Sequence, residues 1–188
     1  MATDKTTKEK IVIIFFALAL IVLSALAVIN PKPSVNGDQY ADSGEAQPLD
    51  ELIATAKKRV TATPKNLHAL VELGELYLDN NQVKESMNTL LSAYKLEPQS
   101  VPVLVALGKV YQRSGFNDKS FDTFKNAEIL EPNNITALYF LGMLNRYHKK
   151  NNKEAIEYFE AILAMGGIDP KFKQDIAKEV QTIKAEAN

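Results

Sequence analysis

Apolar residues occupy this chain in two ways, as one unbroken block near the N-terminus and as a helical stripe that recurs from Leu49 onward. The block, IVIIFFALALIVLSALAVI, runs from Ile11 to Ile29 without a charge and with a single hydroxyl at Ser24. At about 1.5 Å of rise per residue it makes a helix of about 28 Å, close to the roughly 30 Å of a bilayer's hydrocarbon core. Lys5, Lys8 and Lys10 precede it and only Lys32 follows closely. The positive-inside rule then puts residues 1–10 in the cytoplasm and everything after Asn30 across the membrane. Residues 11–29 are expected to be a single-pass anchor in the cytoplasmic (inner) membrane, with the rest of the chain periplasmic or extracytoplasmic. The competing reading is a cleavable signal peptide, because Ala25-Leu26-Ala27 offers a cleavage site. The apolar run resumes at Val28-Ile29, which favours the anchor, and both readings export residues 30–188.

Residues 30–48, NPKPSVNGDQYADSGEAQP, have no periodicity and hold Pro31, Pro33, Pro48, Gly37 and Gly44. They read as a flexible linker with an r.m.s. span of about 24 Å. Beyond it the chain repeats. Gly74, Gly108 and Gly142 are 34 residues apart, and so are Pro64, Pro98 and Pro132. Around the glycines stand Leu70-x-x-Leu73-Gly74-x-x-Tyr77, Leu104-x-x-Leu107-Gly108-x-x-Tyr111 and Leu138-x-x-Leu141-Gly142-x-x-Asn145. Ser86, Leu90 and Ala93 precede Pro98, and Ser120, Phe124 and Ala127 precede Pro132. In the third unit Ala155 to Phe159 come one residue late, which places an extra residue in the His148–Asn152 turn, and Gly166-Gly167 replaces the next proline. A glycine lets one helix lie close to its neighbour, and a proline cannot continue the helix before it.

This pattern resembles the tetratricopeptide-repeat (TPR) family, whose 34-residue unit is a pair of antiparallel helices. The resemblance implies an all-α solenoid with repeats at about 67–100, 101–134 and 135–168. Amphipathic segments flank them: Leu49 to Val60, apolar at Leu49, Leu52, Ile53, Ala56 and Val60, and a capping helix over 170–187, apolar at Phe172, Ile176, Val180 and Ile183. Asp169 is its expected cap, and Lys173, Asp175, Lys178 and Lys184 form a polar face. The TPR domain, 49–188, should therefore contain eight helices.

Charge and composition narrow the function. Residues 49–188 carry equal numbers of acidic and basic side chains, and the runs Lys57-Lys58-Arg59 and Lys149-Lys150 have acids nearby, so nucleic acid is not an expected partner. There is no cysteine, which removes disulfides, thiolate metal sites and cysteine nucleophiles together. His68 and His148, the only histidines, fall in different repeats, so no metal site or catalytic triad is readable. No cofactor and no enzymatic activity are expected.

TPR domains bind peptides on the concave surface lined by the first helix of each pair. Carried over by register, the resemblance implies a groove of His68, Val71, Glu72, Glu75 and Asp79, then Val105, Ala106, Lys109, Gln112 and Arg113, then Tyr139, Phe140, Met143, Arg146 and Tyr147. Its first repeat is acidic, its later ones basic and aromatic, which suits a tail with an apolar anchor and a carboxylate. Tyr139, Phe140 and Met143 also fit a second reading, as core. The TPR clamp for chaperone C-termini needs Lys and Asn where this chain has Val71 and Glu75, so that subclass is set aside. The anchor, the short array and the helix Glu-Ala-Ile-Glu-Tyr-Phe-Glu with a final helix after it resemble the TPR components of bacterial cytochrome c maturation, which hold an apocytochrome tail. The expected partner is a protein or peptide client. A general periplasmic chaperone, an accessory subunit of a secretion or envelope complex, and a non-catalytic regulatory subunit of an enzyme are the alternatives.

Overall fold

The computed structural model of the protein describes residues 48–186, so the expected membrane segment at 11–29 and most of the linker lie outside the described residues. Among the described residues there are eight α-helices and no strand: α1 Leu49–Ala62, α2 Leu67–Asp79, α3 Val83–Leu96, α4 Val101–Arg113, α5 Asn117–Leu130, α6 Ile135–Leu144, α7 Asn152–Ala164 and α8 Pro170–Glu186. None of them is long and apolar enough to cross a membrane. The residues form two compact units, divided after Ile162.

In the first unit the expected punctuation holds. Helices α1, α3 and α5 stop at Ala62, Leu96 and Leu130, two residues before Pro64, Pro98 and Pro132. Asn66 and Asn134 start α2 and α6, each side chain accepting a backbone N–H three residues on, from Ala69 and Ala137, at 3.0 Å. Pro102 serves the first turn of α4, where a missing N–H costs nothing.

Each helix pair closes around its glycine. A Cβ on Gly74 would stand 2.5 Å from Cγ of Leu90, one on Gly108 2.6 Å from Cζ of Phe124, and one on Gly142 2.5 Å from Cε1 of Phe159. Leu90, Phe124 and Phe159 are wholly buried, as are Ala93 and Ala127 beside the first two. Ser86 and Ser120, also buried, donate their hydroxyls to the carbonyls of Gly74 and Gly108 at 2.6 and 2.8 Å. That oxygen has a second lone pair beyond the helical bond, so the serine is satisfied without breaking the ladder. Between pairs, Leu70, Leu90, Val103, Leu107 and Val110 share one apolar cluster, while Ile53 and Ala56 of α1 pack with Leu73 and Tyr77 of α2. Leu52, expected on the apolar face of α1, is 36% exposed.

The segment that takes up the extra residue of the third repeat begins a few positions before the predicted His148–Asn152 turn and overlaps it at His148 and Lys149. Residues Asn145–Lys149 form a π-helical turn that ends α6, so the insertion is wound into the helix before the connecting turn begins. The left-handed residue that turns the chain is Asn81 in the first pair, Gly115 in the second and Lys150 in the third, at φ 58°, 78° and 59°. The backbone N–H of the next residue closes onto Tyr77 (2.7 Å), Tyr111 (2.9 Å) and Asn145 (2.8 Å) carbonyls respectively. Asn145, standing where the other repeats have Tyr, is buried and donates its side-chain amide to the Leu141 carbonyl at 3.0 Å.

In the second unit Asp169 caps α8 as expected, accepting the Phe172 N–H at 2.8 Å, and Phe172, Ile176, Val180 and Ile183 are buried. Lys173 departs from the expected polar face. Its ammonium donates to the carbonyls of Leu163 (2.9 Å) and Met165 (2.5 Å), satisfying acceptors that the end of α7 leaves open.

Candidate peptide-binding surface

Helices α2 and α4 lie side by side, because residues one repeat apart meet: Lys109 Nζ stands 2.7 Å from Glu75 Oε1. Their facing strip is the surface that the register assigns to a ligand. Within it His68 and Asp79 are exposed, and Val71, Glu72, Glu75, Val105, Lys109, Gln112 and Arg113 are half-buried. Val71 and Val105, 34 residues apart, hold the same repeat position on the two helices, one turn before Glu75 and Lys109, and keep partial exposure there.

The charges of this strip interlock. Lys109 is the more enclosed partner, with 12% of its side chain exposed against 40% for Glu75. Asp79 and Arg113, again 34 residues apart, act on each other. Although Asp79 is an exposed residue, its carboxyl is partly shielded from water, which raises it above its ordinary value; the nearby Glu75 pushes the same way, while Lys109 and Arg113 pull it back down. Burial lowers the Arg113 guanidinium and Asp79 opposes the shift. On the outer side, Glu72 Oε1 meets Arg59 of α1 at 2.6 Å. Sequence reasoning placed these acids and bases at two ends of a groove. The structure joins them across repeats, and the signal was present, since opposite charges occupy one repeat position twice, at 75 and 109 and at 79 and 113.

The third repeat does not extend the open strip. Residues 136–146 are buried without interruption, including Tyr139, Phe140, Met143 and Arg146; Ala106 of α4 is buried as well. Of the third repeat's five assigned side chains only Tyr147 keeps partial exposure, with the Arg146 guanidinium 5.0 Å from its ring centroid. The physical reason is packing. Phe140 stacks on Phe124 with centroids 4.8 Å apart, and Tyr139 meets Phe140 edge-on at 5.5 Å and Phe159 at 6.4 Å. A helix apolar on every side, as α6 is, belongs inside. The aromatic trio is therefore core, the second of its two readings, and offers no open surface.

With this geometry in view, comparisons with known proteins agree on the architecture. Residues 67–100 match the tetratricopeptide repeat family. No curated protein matches the sequence. Among solved structures, the thermophilic TPR protein TTC0263 of Thermus thermophilus superposes with a TM-score of 0.63 at 20% identity, over 71% of this chain and 73% of that one. YrrB, described as a TPR protein with an unusual peptide-binding site, gives 0.58 at 20% identity, over 69% and 66%. SycD, the type III secretion translocator chaperone of Yersinia enterocolitica, gives 0.60 at 12% identity, over 66% and 88%. At these identities the structures speak to fold alone. The family match at 67–100, the glycine and serine contacts repeated in the second pair, and the glycine contact repeated in the third lead to one assignment: residues 67–100 are a tetratricopeptide repeat, and the helix pairs that follow repeat its architecture.

Proposed function

We propose that the protein is a scaffold or assembly chaperone, anchored in the cytoplasmic membrane by residues 11–29, whose repeats hold a client polypeptide on the extracytoplasmic side. The observation that carries this reading is the strip between α2 and α4, where half-buried Val71 and Val105 share the exposed helix faces with the Glu75 and Lys109 pair and with Arg113. An extended segment with an apolar side chain and charges of both signs matches it, each client charge exchanging with one side of an existing pair. Two proteins of similar fold are described by peptide binding and by chaperone work, which supports the same reading.

A narrower version makes the client an apocytochrome tail, on the likeness of α7, Glu-Ala-Ile-Glu-Tyr-Phe-Glu, to cytochrome c maturation components. Ala155 and Phe159 of that motif are buried repeat positions, so its distinguishing residues are the outward-facing Glu154, Glu157 and Tyr158.

The test is photo-crosslinking from position 112 in the full-length, membrane-embedded protein in its own cells, with identification of what is attached. A defined client set is expected. Arg113→Glu, which places a third carboxylate beside Glu75 and Asp79, should change that set. An unchanged set would remove the strip from the binding surface.

A further inference from the structure

We infer that the repeats carry a second docking surface, independent of the α2 and α4 strip. It is the cleft between the second helices of repeats two and three, and it takes a partner segment in which Lys or Arg stands beside a bulky apolar side chain. The cleft has a volume of about 560 Å³ and is open to solvent, within the size range of ligand-binding clefts. Its apolar lining comes from Phe121 of α5, Leu138 of α6 and, in the loop between these helices, the exposed Pro132. Its rim is acidic, with Glu128 on α5 and Glu154 and Glu157 on α7.

The charge of the rim is compensated only at Glu128. Lys125, the one cation among the described residues that line the cleft, is held by Glu128 at 2.7 Å and donates to the Tyr158 hydroxyl at 3.1 Å. Lys149, whose ammonium lies 5.2 Å from the Phe121 ring centroid, bonds the Asp118 carboxylate. Among the described residues Glu154 and Glu157 form no ion pair, and both are exposed one helical turn apart on α7. A cation between them and an apolar side chain on Phe121 and Leu138 complete the site, so complementarity of charge selects a basic occupant.

This arrangement is particular to one pair of repeats. At the corresponding places one repeat earlier stand Met87, Leu91 and Tyr94 for Phe121, Lys125 and Glu128, and Lys119, Asp122 and Thr123 for Glu154, Glu157 and Tyr158. Those side chains give no acidic rim. A cleft that only resulted from stacking repeats would carry no charge pattern of its own.

The experiment measures fluorescence anisotropy of two labelled nonapeptides, one of alternating Lys and Leu or Phe, the other its Glu counterpart, with full-length protein in detergent. The Lys peptide should bind and the Glu peptide should not, with affinity falling as salt rises. Glu154→Lys with Glu157→Lys should weaken the Lys peptide by at least about tenfold, and the Gln pair by less. Arg113→Glu, in the strip, should leave it unchanged, which separates failure of this site from failure of the proposed function. Thermal melts that match the parent establish that the variants fold, as exposed side chains on one helix face predict. Equal binding of both peptides, an unaffected double variant, or loss of the Lys peptide on Arg113→Glu would each overturn the site. So would conversion of an oligomer to monomer by the double variant with peptide affinity unchanged, because the occupant would then be a second copy of the chain.

Discussion

The Gly108 α-carbon lies so close to the Phe124 ring that a methyl group there would stand 2.6 to 2.8 Å from three of its carbons. Phe124 has nowhere to retreat, since its other face stacks on Phe140 with the rings 3° from parallel. Gly108→Ala should therefore destabilise the fold by about 2–3 kcal/mol, the cost of overpacking a filled core, read as a shift in a urea midpoint. Gly74→Ala, which meets the more adaptable Leu90, should cost less. Equal costs would mean that the aromatic stack does not hold the ring.

The serine contacts give a second measurement. Ser120→Ala removes a buried hydroxyl whose acceptor keeps its helical bond, so a loss of about 1 kcal/mol is expected. The third repeat has Ala155 at that position. Ala155→Ser should be neutral or stabilising if its hydroxyl reaches the Gly142 carbonyl as its counterparts do, and destabilising if the π turn has moved α7 out of reach.

Lys150 occupies a backbone conformation that its neighbours in register fill with Asn81 and Gly115. A non-glycine residue pays roughly 1 kcal/mol for left-handed angles. Lys150→Gly should recover part of that, raising the melting temperature by a few degrees on the usual scaling for a domain of this size.

Asp118 reports on pH. Hydrogen bonds from Lys149 first and His148 second hold its carboxyl below the ordinary value of 3.8. A carboxylate whose pKa falls on folding adds stability above its unfolded pKa and loses it as pH drops through the folded one. Asp118→Asn should thus melt below the parent at neutral pH, with the gap closing on acidification below about pH 4. A gap independent of pH would show that the contact acts through packing.

The Glu75 and Lys109 pair is testable by a double-mutant cycle. Glu75→Gln and Lys109→Met should couple by about 0.5–1 kcal/mol, because the ion pair is half-enclosed but its acid still meets water. Coupling near zero would mean that the strip's charges are independent.

The fold was legible because repetition multiplies weak signals. One Gly or Pro says little, but Gly74, Gly108 and Gly142 in phase with Pro64, Pro98 and Pro132 fix helix ends and close approaches together. The binding surface was only partly legible. Position within the repeat put His68, Val71, Glu75 and Lys109 on one partly open strip, and opposite charges at one repeat position, 75 and 109, signalled the ion pair, but grouping the charges by repeat hid it. Position could not reveal that Tyr139, Phe140 and Met143 are enclosed, since a helix apolar on all sides gives no phase from which to infer a free face. The inserted residue was seen as a lag in spacing. Its place was misjudged by a few positions because turns are where insertions are usually tolerated, and a π turn has no composition of its own.

That turn has a consequence for how such arrays change length. A residue added inside α6 advances the chain by about 100° of helical rotation, and without absorption every later contact would change its face. Here the closing bond to Asn145 restores the phase before α7 begins, so Phe159 still lies under Gly142. Heritable insertions and deletions of one residue at this helix end are therefore separable from the core. Repeat length can drift there while the stacking that defines the family stays constant.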